Sequence, residues 1–322
     1  MQAYKIADMH CDTIVCRVSR GNGNVHLRQN DGQLDLLRLK SAGVVAQCFA
    51  LFIPSGEDEK ALQGLSPYGF FEMAYGCYKE QIEQNADLVR PAFNYYDVEK
   101  NMAEGRISSI LTIEDGLLLE GKIERVDELY EKGVRLITLT WNTENSLGYP
   151  NFNDGPDTVH GLKEFGFLAM ERMNEIGIIV DVSHLSDAGF YDVAKYCKKP
   201  FVASHSNARA IWGDRRNLTD DMLKTLAEKG GMTGLNFASY FLSKDKVSTA
   251  SALLRHAKHI VNIAGEDALG FGSDFDGISC ELEFGGCEGY GKILELFEKH
   301  FTPTQMEKLT YLNFLRILKE CC

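Results

Sequence analysis

Two apolar, β-branched runs in this chain each end in a histidine. Ile176–His184 reads Ile-Gly-Ile-Ile-Val-Asp-Val-Ser-His, Pro200–Ser206 reads Pro-Phe-Val-Ala-Ser-His-Ser, and a linker of helical length separates them. That is the pattern of a β-α-β unit whose parallel strands bring His184 and His205 to the same, carboxyl-terminal edge of a sheet. Tyr4–Asp12 ends in His10-Cys11-Asp12. Strand alternation puts His10 and Asp12 on one face and Cys11 on the other. Glu114 closes the apolar run Ile110-Leu111-Thr112-Ile113, and a carboxylate buried there must be paired or bound to metal, because desolvating an isolated charge costs several kcal/mol or more.

Taken singly, these residues read as a hydrogen-bonded pair, core histidines and a salt bridge. All five fall at the same end of their strands. Nitrogen and oxygen donors without thiolate suit Zn²⁺, with Mn²⁺ or Fe²⁺ as alternatives. Five donors are one too many for a tetrahedral ion, but they suit two if a carboxylate, Glu114, bridges them. Such a pair, about 3.5–4 Å apart, can hold a hydroxide and polarise a carbonyl. Another strand ends in Gly270-Phe271-Gly272-Ser273-Asp274-Phe275-Asp276-Gly277. There Gly270 and Gly272 leave room for something to approach the backbone, and Asp276 reads as a turn residue.

Positioning these groups takes eight strands: Tyr4–Asp12, Val44–Ile53, Ser108–Asp115, Val134–Trp141, Ile176–His184, Pro200–Ser206, Gly231–Ala238 and Ala268–Asp276. Amphipathic stretches alternate with them, at Leu34–Ser41, Pro67–Asn85 with Asp97–Glu104, Ile123–Lys132, Leu162–Glu175, Asp187–Lys198, Asp220–Lys229 and Ser248–Ala264. Glycines at 43, 105, 133, 177, 230 and 265 mark helix ends. Thr302-Pro303-Thr304-Gln305 opens a last helix with a capping box. Strict alternation predicts a parallel sheet covered by helices, and eight repeats close it into a single-domain (β/α)8 TIM-type barrel over residues 1–322 with a C-terminal helix. An open doubly wound sheet is the runner-up, but no G-x-G-x-x-G follows any strand.

Composition narrows the partners. The chain has 322 residues, and 34 basic against 46 acidic side chains give a formal charge of −12. With no basic block, this argues against nucleic acid and anionic membrane surfaces. No run approaches a membrane span, and the first residues lack a signal-peptide apolar region, which predicts a cytoplasmic protein. Nine scattered cysteines without a C-x-x-C pair predict free thiols.

Over essentially its full length the chain resembles the membrane or renal dipeptidase family of the metal-dependent amidohydrolase barrels. The matching stretches are His10-Cys11-Asp12, Glu114, Gly166 through Asp187, Ser204-His205-Ser206, Arg215 through Asp221 and Gly272 through Gly277. The resemblance implies a zinc-dependent dipeptidase with a metal-bridging hydroxide, tolerant of a D-residue at the C-terminal position. His10 and Asp12 would bind one zinc, His184 and His205 the other, and Glu114 would bridge. It further implies catalysis by Asp274 and capture of the substrate carboxylate by Arg216, whose guanidinium can grip a carboxylate bidentately. Arg209 and Arg215 are read as surface or structural arginines.

One position departs from the animal enzymes of that family, whose fourth strand ends in a histidine contacting the scissile carbonyl. Here stands Thr138-Leu139-Thr140-Trp141-Asn142. Trp141 reads as a pocket wall, Asn142 or Asn145 as the replacement donor, and Tyr240 as a pocket residue. His256 and His259 read as a solvated helix face, and Phe70, Phe71, Tyr75 and Tyr78 as a face packed on the barrel. A homodimer is a candidate assembly. Two alternatives stay open: an amidohydrolase for another small amide, cyclic amide or lactone, and a binding protein that has kept metal but lost catalysis.

Overall fold

The computed structural model describes residues 4–19, 25–151 and 159–322. Eight strands form the barrel: β1 Ile6–Asp8, β2 Val44–Phe52, β3 Ile107–Glu114, β4 Val134–Thr138, β5 Ile179–Asp181, β6 Val202–Ala203, β7 Met232–Leu235 and β8 Leu269–Phe271. Each pairs in parallel with its neighbour in chain order, β8 pairs back on β1 with Phe271 beside Asp8, and the sheet closes into a ring. One register row runs Phe52, Glu114, Thr138, Asp181 across β2 to β5.

The helices are α1 Leu36–Ala42, α2 Pro67–Gln84, α3 Tyr95–Ala103, α4 Glu124–Glu131, α5 Glu164–Ile176, α6 Asp187–Tyr196, α7 Asp220–Glu228, α8 Ser239–Leu242, α9 Ala250–Ala264, α10 Tyr290–Phe297, α11 Pro303–Glu307 and α12 Asn313–Cys321. Their ends follow the local sequence. Gly177 stops α5 at φ 96°, a left-handed conformation that a side chain disfavours. Thr302 and Gln305 cap α11 reciprocally. On α2, Phe70, Phe71 and Tyr78 are buried, as expected of a face packed on the barrel.

Two apolar layers hold the ring. The larger lies between strands and helices. The smaller joins interior residues such as Met9, Cys48, Ile110 and Met232 to Phe314, Leu315, Ile317 and Leu318 of α12, so the last helix plugs the amino-terminal mouth of the barrel. Burying each such side chain contributes roughly 1.5–3 kcal/mol. Cysteines 11, 48, 77, 197, 280, 287, 321 and 322 are free thiols. Among the described residues no helix is long and apolar enough to cross a membrane.

Seven of the eight observed strands are shorter than the sequence pattern predicts, β3 keeps its length but starts one residue earlier, and all eight stop short of the predicted carboxyl end. Apart from Glu114, which ends its ladder, the residues that carry candidate chemistry lie just past the last ladder pair, where the chain turns over the mouth. Four non-glycine residues there have positive φ: Asp115 (76°), His184 (67°), Asp274 (64°) and Asp276 (65°). Such conformations cost on the order of 1–3 kcal/mol each and gather at functional sites. An extra strand, Val89–Pro91, pairs on β3. Its proline sits at a strand end, where a missing N–H costs no ladder bond, and its brevity hid it in the sequence.

Of the glycine pair read from the sequence, Gly270 is approached by the Met232 side chain and Gly272 by backbone, and Gly234, outside that pattern, shares the backbone approach. A Cβ on Gly272 would meet the Ser204 carbonyl oxygen at 1.8 Å, and one on Gly234 would meet the same atom at 2.0 Å. What approaches the backbone is the neighbouring strand end. The two glycines let β6 press close to β7 and β8.

Candidate metal centre and substrate cavity

Glu114, the last residue of β3, lies at the middle of the site. Its Oε1 is 3.0 Å from His184 Nε2 and 3.6 Å from His205 Nε2, and its Oε2 is 3.6 Å from His10 Nε2. The two oxygens thus face different imidazoles. His10 Nε2 is also 3.4 Å from Asp12 Oδ2 and 3.9 Å from Asp274 Oδ1. Donor atoms of His10, Glu114 and His205 fall within 4.8 Å of one another, as do those of His10, Asp12 and Asp274. All five residues predicted as ligands are therefore brought together, with Asp274 beside them.

The electrostatics are those of a crowded, dry cluster. Burial pushes Asp12 up to about 6, with the Glu114 carboxylate adding to it. Burial also raises Asp274 well above the usual carboxylate range; His10 opposes this, while Asp12 and Glu114 reinforce it. For His10, burial works against the imidazolium, yet Asp12 and Glu114 push its pKa well above the ordinary value. His184 and His205 go the other way, His184 held well below it by burial and the Arg216 guanidinium, His205 by burial, His10 and Arg216, which favours the neutral rings.

This donor set fits divalent cations. His10 Nδ1 and Nε2 and Asp12 Oδ1 are buried without a hydrogen bond, a costly state for polar atoms unless something else engages them. His184 Nε2 and His205 Nε2 face each other at 3.0 Å, a separation at which at most one of these nitrogens can carry a proton toward the other. Carboxylates that repel one another and neutral imidazoles with convergent nitrogens are what a cation relieves.

Beyond the cluster opens a cavity of about 530 Å³, lined by Asp12, Glu114, His184 and Asp274 on its floor and by Phe52, Trp141, Asn142, Arg216 and Tyr240 on its walls. Arg216 is the exceptional wall residue. It is buried, its guanidinium reaches only Ser206 Oγ (3.3 Å) and the His205 carbonyl (3.4 Å) and lies 5.3 Å from the Phe241 ring, and its Nε has no partner. No carboxylate within ion-pair distance neutralises it among the described residues. Burial accordingly pulls its pKa down. A desolvated cation facing a cavity calls for an anionic partner.

Trp141 is a wall, packed edge-on against Phe52 with ring centres 4.7 Å apart. Asn142 Oδ1 accepts from His184 Nδ1 at 3.0 Å, which leaves its NH₂ for the cavity. Asn145, the other candidate donor, is spent: its Nδ2 donates to Asp115 Oδ1 (2.7 Å) and the Leu139 carbonyl (2.8 Å), and its Oδ1 accepts from Leu147 and Gly148. Tyr240, on the short α8, lines the cavity while 44% exposed. Arg209 pairs bidentately with Asp187, the structural use expected of it. Asp276 takes up the Thr13 hydroxyl (2.6 Å) and the Gln33 N–H (2.8 Å) and so ties loops together.

Three groups at the site were not singled out in the sequence. Asn236, just past β7, donates from Nδ2 to Asp274 Oδ2 at 2.9 Å. Asp181 and Ser204 lie behind His205. Each interrupts an apolar run with a polar residue, which was the available signal. His256 corrects the expectation of a solvated face. It is fully buried, its Nδ1 accepts from the Ala208 N–H (3.1 Å) and its Nε2 donates to the Leu242 carbonyl (3.0 Å), pinning the loop after His205 to the end of α8. Burial pushes its pKa down to about 4.

Comparison with known proteins places this geometry. A sequence model described as membrane dipeptidase (peptidase family M19) matches residues 1–321. A Klebsiella pneumoniae protein, known as an uncharacterized protein in the pqqA 5′ region, is 32% identical over 249 residues, 75% of this chain and 92% of its own length. Among solved structures, a metallo peptidase from Rhodobacter sphaeroides, liganded with a phosphinate mimic of the dipeptide L-Ala-D-Ala, superposes with a TM-score of 0.92 at 27% identity over 100% of both chains. A metallo peptidase called dipeptidase AC gives 0.89 at 27% identity over 99% of both.

Proposed function

This chain belongs to the membrane dipeptidase family and is a metal-dependent dipeptidase; on that premise we propose that it cleaves free dipeptides at a two-ion centre, zinc by preference, and accepts a D-residue on the carboxyl side. His10 and Asp12 would hold one ion, His184 and His205 the other, with Glu114 reaching both. When bound, such ions supply Lewis acidity, acidifying a water and polarising the scissile carbonyl. The observation that carries the reading is the split of Glu114, one oxygen toward His184 and His205 and the other toward His10, with the uncompensated Arg216 in the same cavity.

The chain's own groups do the rest. Arg216 binds the free carboxylate of the substrate, which fixes its carboxyl end and disfavours longer peptides. Asn236 occupies Asp274 Oδ2, so Oδ1 is the oxygen that accepts the proton of the attacking water and returns it to the leaving amine. Asn142 Nδ2 donates to the scissile carbonyl. Its amide cannot flip without losing the bond from His184 Nδ1, so the donor is held toward the cavity. Trp141 and Phe52 exclude water from one wall, and Tyr240 bounds the opening. Support for a D-residue comes from the L-Ala-D-Ala mimic held by the Rhodobacter protein.

The test is a panel of L-Xaa–L-Xaa and L-Xaa–D-Xaa dipeptides, free and C-amidated, given to protein reconstituted with Zn²⁺ or Mn²⁺. Metal-dependent cleavage of the free dipeptides, with the amidated ones poor, is expected. Equal cleavage of both forms would remove Arg216 from substrate binding, and no cleavage across the panel would point to a different amide.

A further inference from the structure

A histidine can ligate through one ring nitrogen only when its proton sits on the other, so whatever contacts the far nitrogen governs the site. Behind His205 the contacts form a chain. His205 Nδ1 lies 2.7 Å from Ser204 Oγ, and Ser204 Oγ lies 2.5 Å from Asp181 Oδ2. Asp181 is fully buried at the end of β5. Its Oδ1 accepts the N–H groups of Ser183 (2.9 Å) and Ser204 (2.8 Å), and its Oδ2 accepts the hydroxyls of Thr138 (2.6 Å) and Ser204.

The direction of every proton follows. A serine hydroxyl has one proton, and the 2.5 Å contact commits that of Ser204 to Asp181. The competing Ser183 hydroxyl is farther, at 3.3 Å. Ser204 Oγ must then accept from His205, which puts the imidazole proton on Nδ1 and the lone pair on Nε2, the nitrogen that faces Glu114.

We propose that Asp181 and Ser204 are a positioning relay: they set the tautomer of His205 and thereby the metal affinity of the His184–His205 side, without touching substrate. The proposal rests on the metal reading above. The molecule also contains the matching arrangement without a relay. Across the barrel, Asp8 accepts the Ser273 N–H (2.9 Å), the Ser273 hydroxyl (2.5 Å) and the Tyr290 hydroxyl. Yet Ser273 contacts no imidazole nitrogen, and His10 Nδ1 has no partner.

Asp181→Asn makes the sharpest test. Two backbone N–H groups hold the amide oxygen at the Oδ1 position, so NH₂ must take the place of Oδ2. It then donates to Ser204, the Ser204 proton turns to His205 Nδ1, and the imidazole proton is driven to Nε2. The isosteric change inverts the relay, much as an asparagine in place of a triad aspartate leaves the geometry but sets the wrong tautomer.

The readouts are the His205 tautomer by ¹⁵N NMR of metal-free protein and Zn²⁺ dissociation constants by competition with a chromophoric chelator. Expected are an Nδ1–H tautomer in the parent, Nε2–H in Asp181→Asn, and about 10–100-fold weaker binding of one of two metal equivalents. Ser204→Ala, which removes the relay without inverting it, should mix the tautomers and weaken the same equivalent less; it carries the test if Asp181→Asn does not fold. Ser273→Ala, with the same hydroxyl lost at Asp8, should leave that equivalent unchanged. A parent His205 protonated on Nε2, or a folded Asp181→Asn that binds both equivalents as tightly as the parent, would overturn the relay. A parent that binds no metal overturns the metal reading instead, and the tautomer measurement tells the two failures apart.

Discussion

The two sides of the centre are built by different rules. On the side of β5 and β6, burial lowers the pKa of both imidazoles, and each has its far nitrogen engaged, His184 by Asn142 and His205 by Ser204. On the side of β1 and β8, a single imidazole with an unengaged Nδ1 is crowded by Asp12, Glu114 and Asp274. One side is oriented by the protein itself, and the other carries negative charge that needs a cation to order it. Preorganisation and charge are separate ways to make a site, and this barrel mouth uses one on each side.

The largest predicted effect lies on the charged side. Asp274→Asn should lower kcat by about 10²–10⁴-fold with both metal equivalents retained, measured by steady-state kinetics and metal analysis. Near-normal turnover would leave that side with a purely electrostatic role. Next comes the cation facing both sides. Arg216→Ala should cost about 2–3 kcal/mol in kcat/KM on free dipeptides and almost nothing on C-amidated ones, since only the former present a carboxylate.

Asn142 separates the two rules within one residue. Asn142→Asp keeps an acceptor for His184 and loses the cavity donor, so kcat should fall about tenfold or more with metal affinity held. Asn142→Ala should lose both. Equal metal affinity in the two variants would mean that His184 does not depend on this contact.

The effect with the smallest consequence for catalysis is in the scaffold behind the preorganised side, where stability and not turnover is the readout. His256 has a folded pKa near 4, below the unfolded value of about 6.5. The unfolded chain therefore takes up the proton first, and stability present above pH 6.5 is lost as pH falls toward 4, by about 3 kcal/mol at most. Urea melts at pH 7 and 4.5 should show a smaller pH-dependent loss in His256→Gln than in the parent.

The clustering of His10, Asp12, Glu114, His184 and His205 was legible because each breaks an apolar run at its carboxyl end, and a barrel brings those ends together. Groups one layer behind were not. Asp181, Ser204 and Asn236 also break apolar runs, but hydroxyls, amides and a carboxylate there have many uses, and only distances reveal that Ser204 joins Asp181 to His205 and that Asn236 contacts Asp274. His256 was misread because helical spacing says which face a residue shares and nothing about which loops fold over that face. Helix ends were read well, as at Gly177 and Thr302, since capping is decided within a few residues.

Ring closure has a consequence for biosynthesis. Asp8 on the first strand meets Ser273, just past the eighth, 265 residues later. At 5–20 residues per second of synthesis, β1 waits on the order of 10–50 s for its second neighbour to be made. During that interval Asp12 has no Asp274 beside it, and the edge of β1 is open to any strand that can pair. Both the centre and the protection of that edge thus wait for the eighth strand.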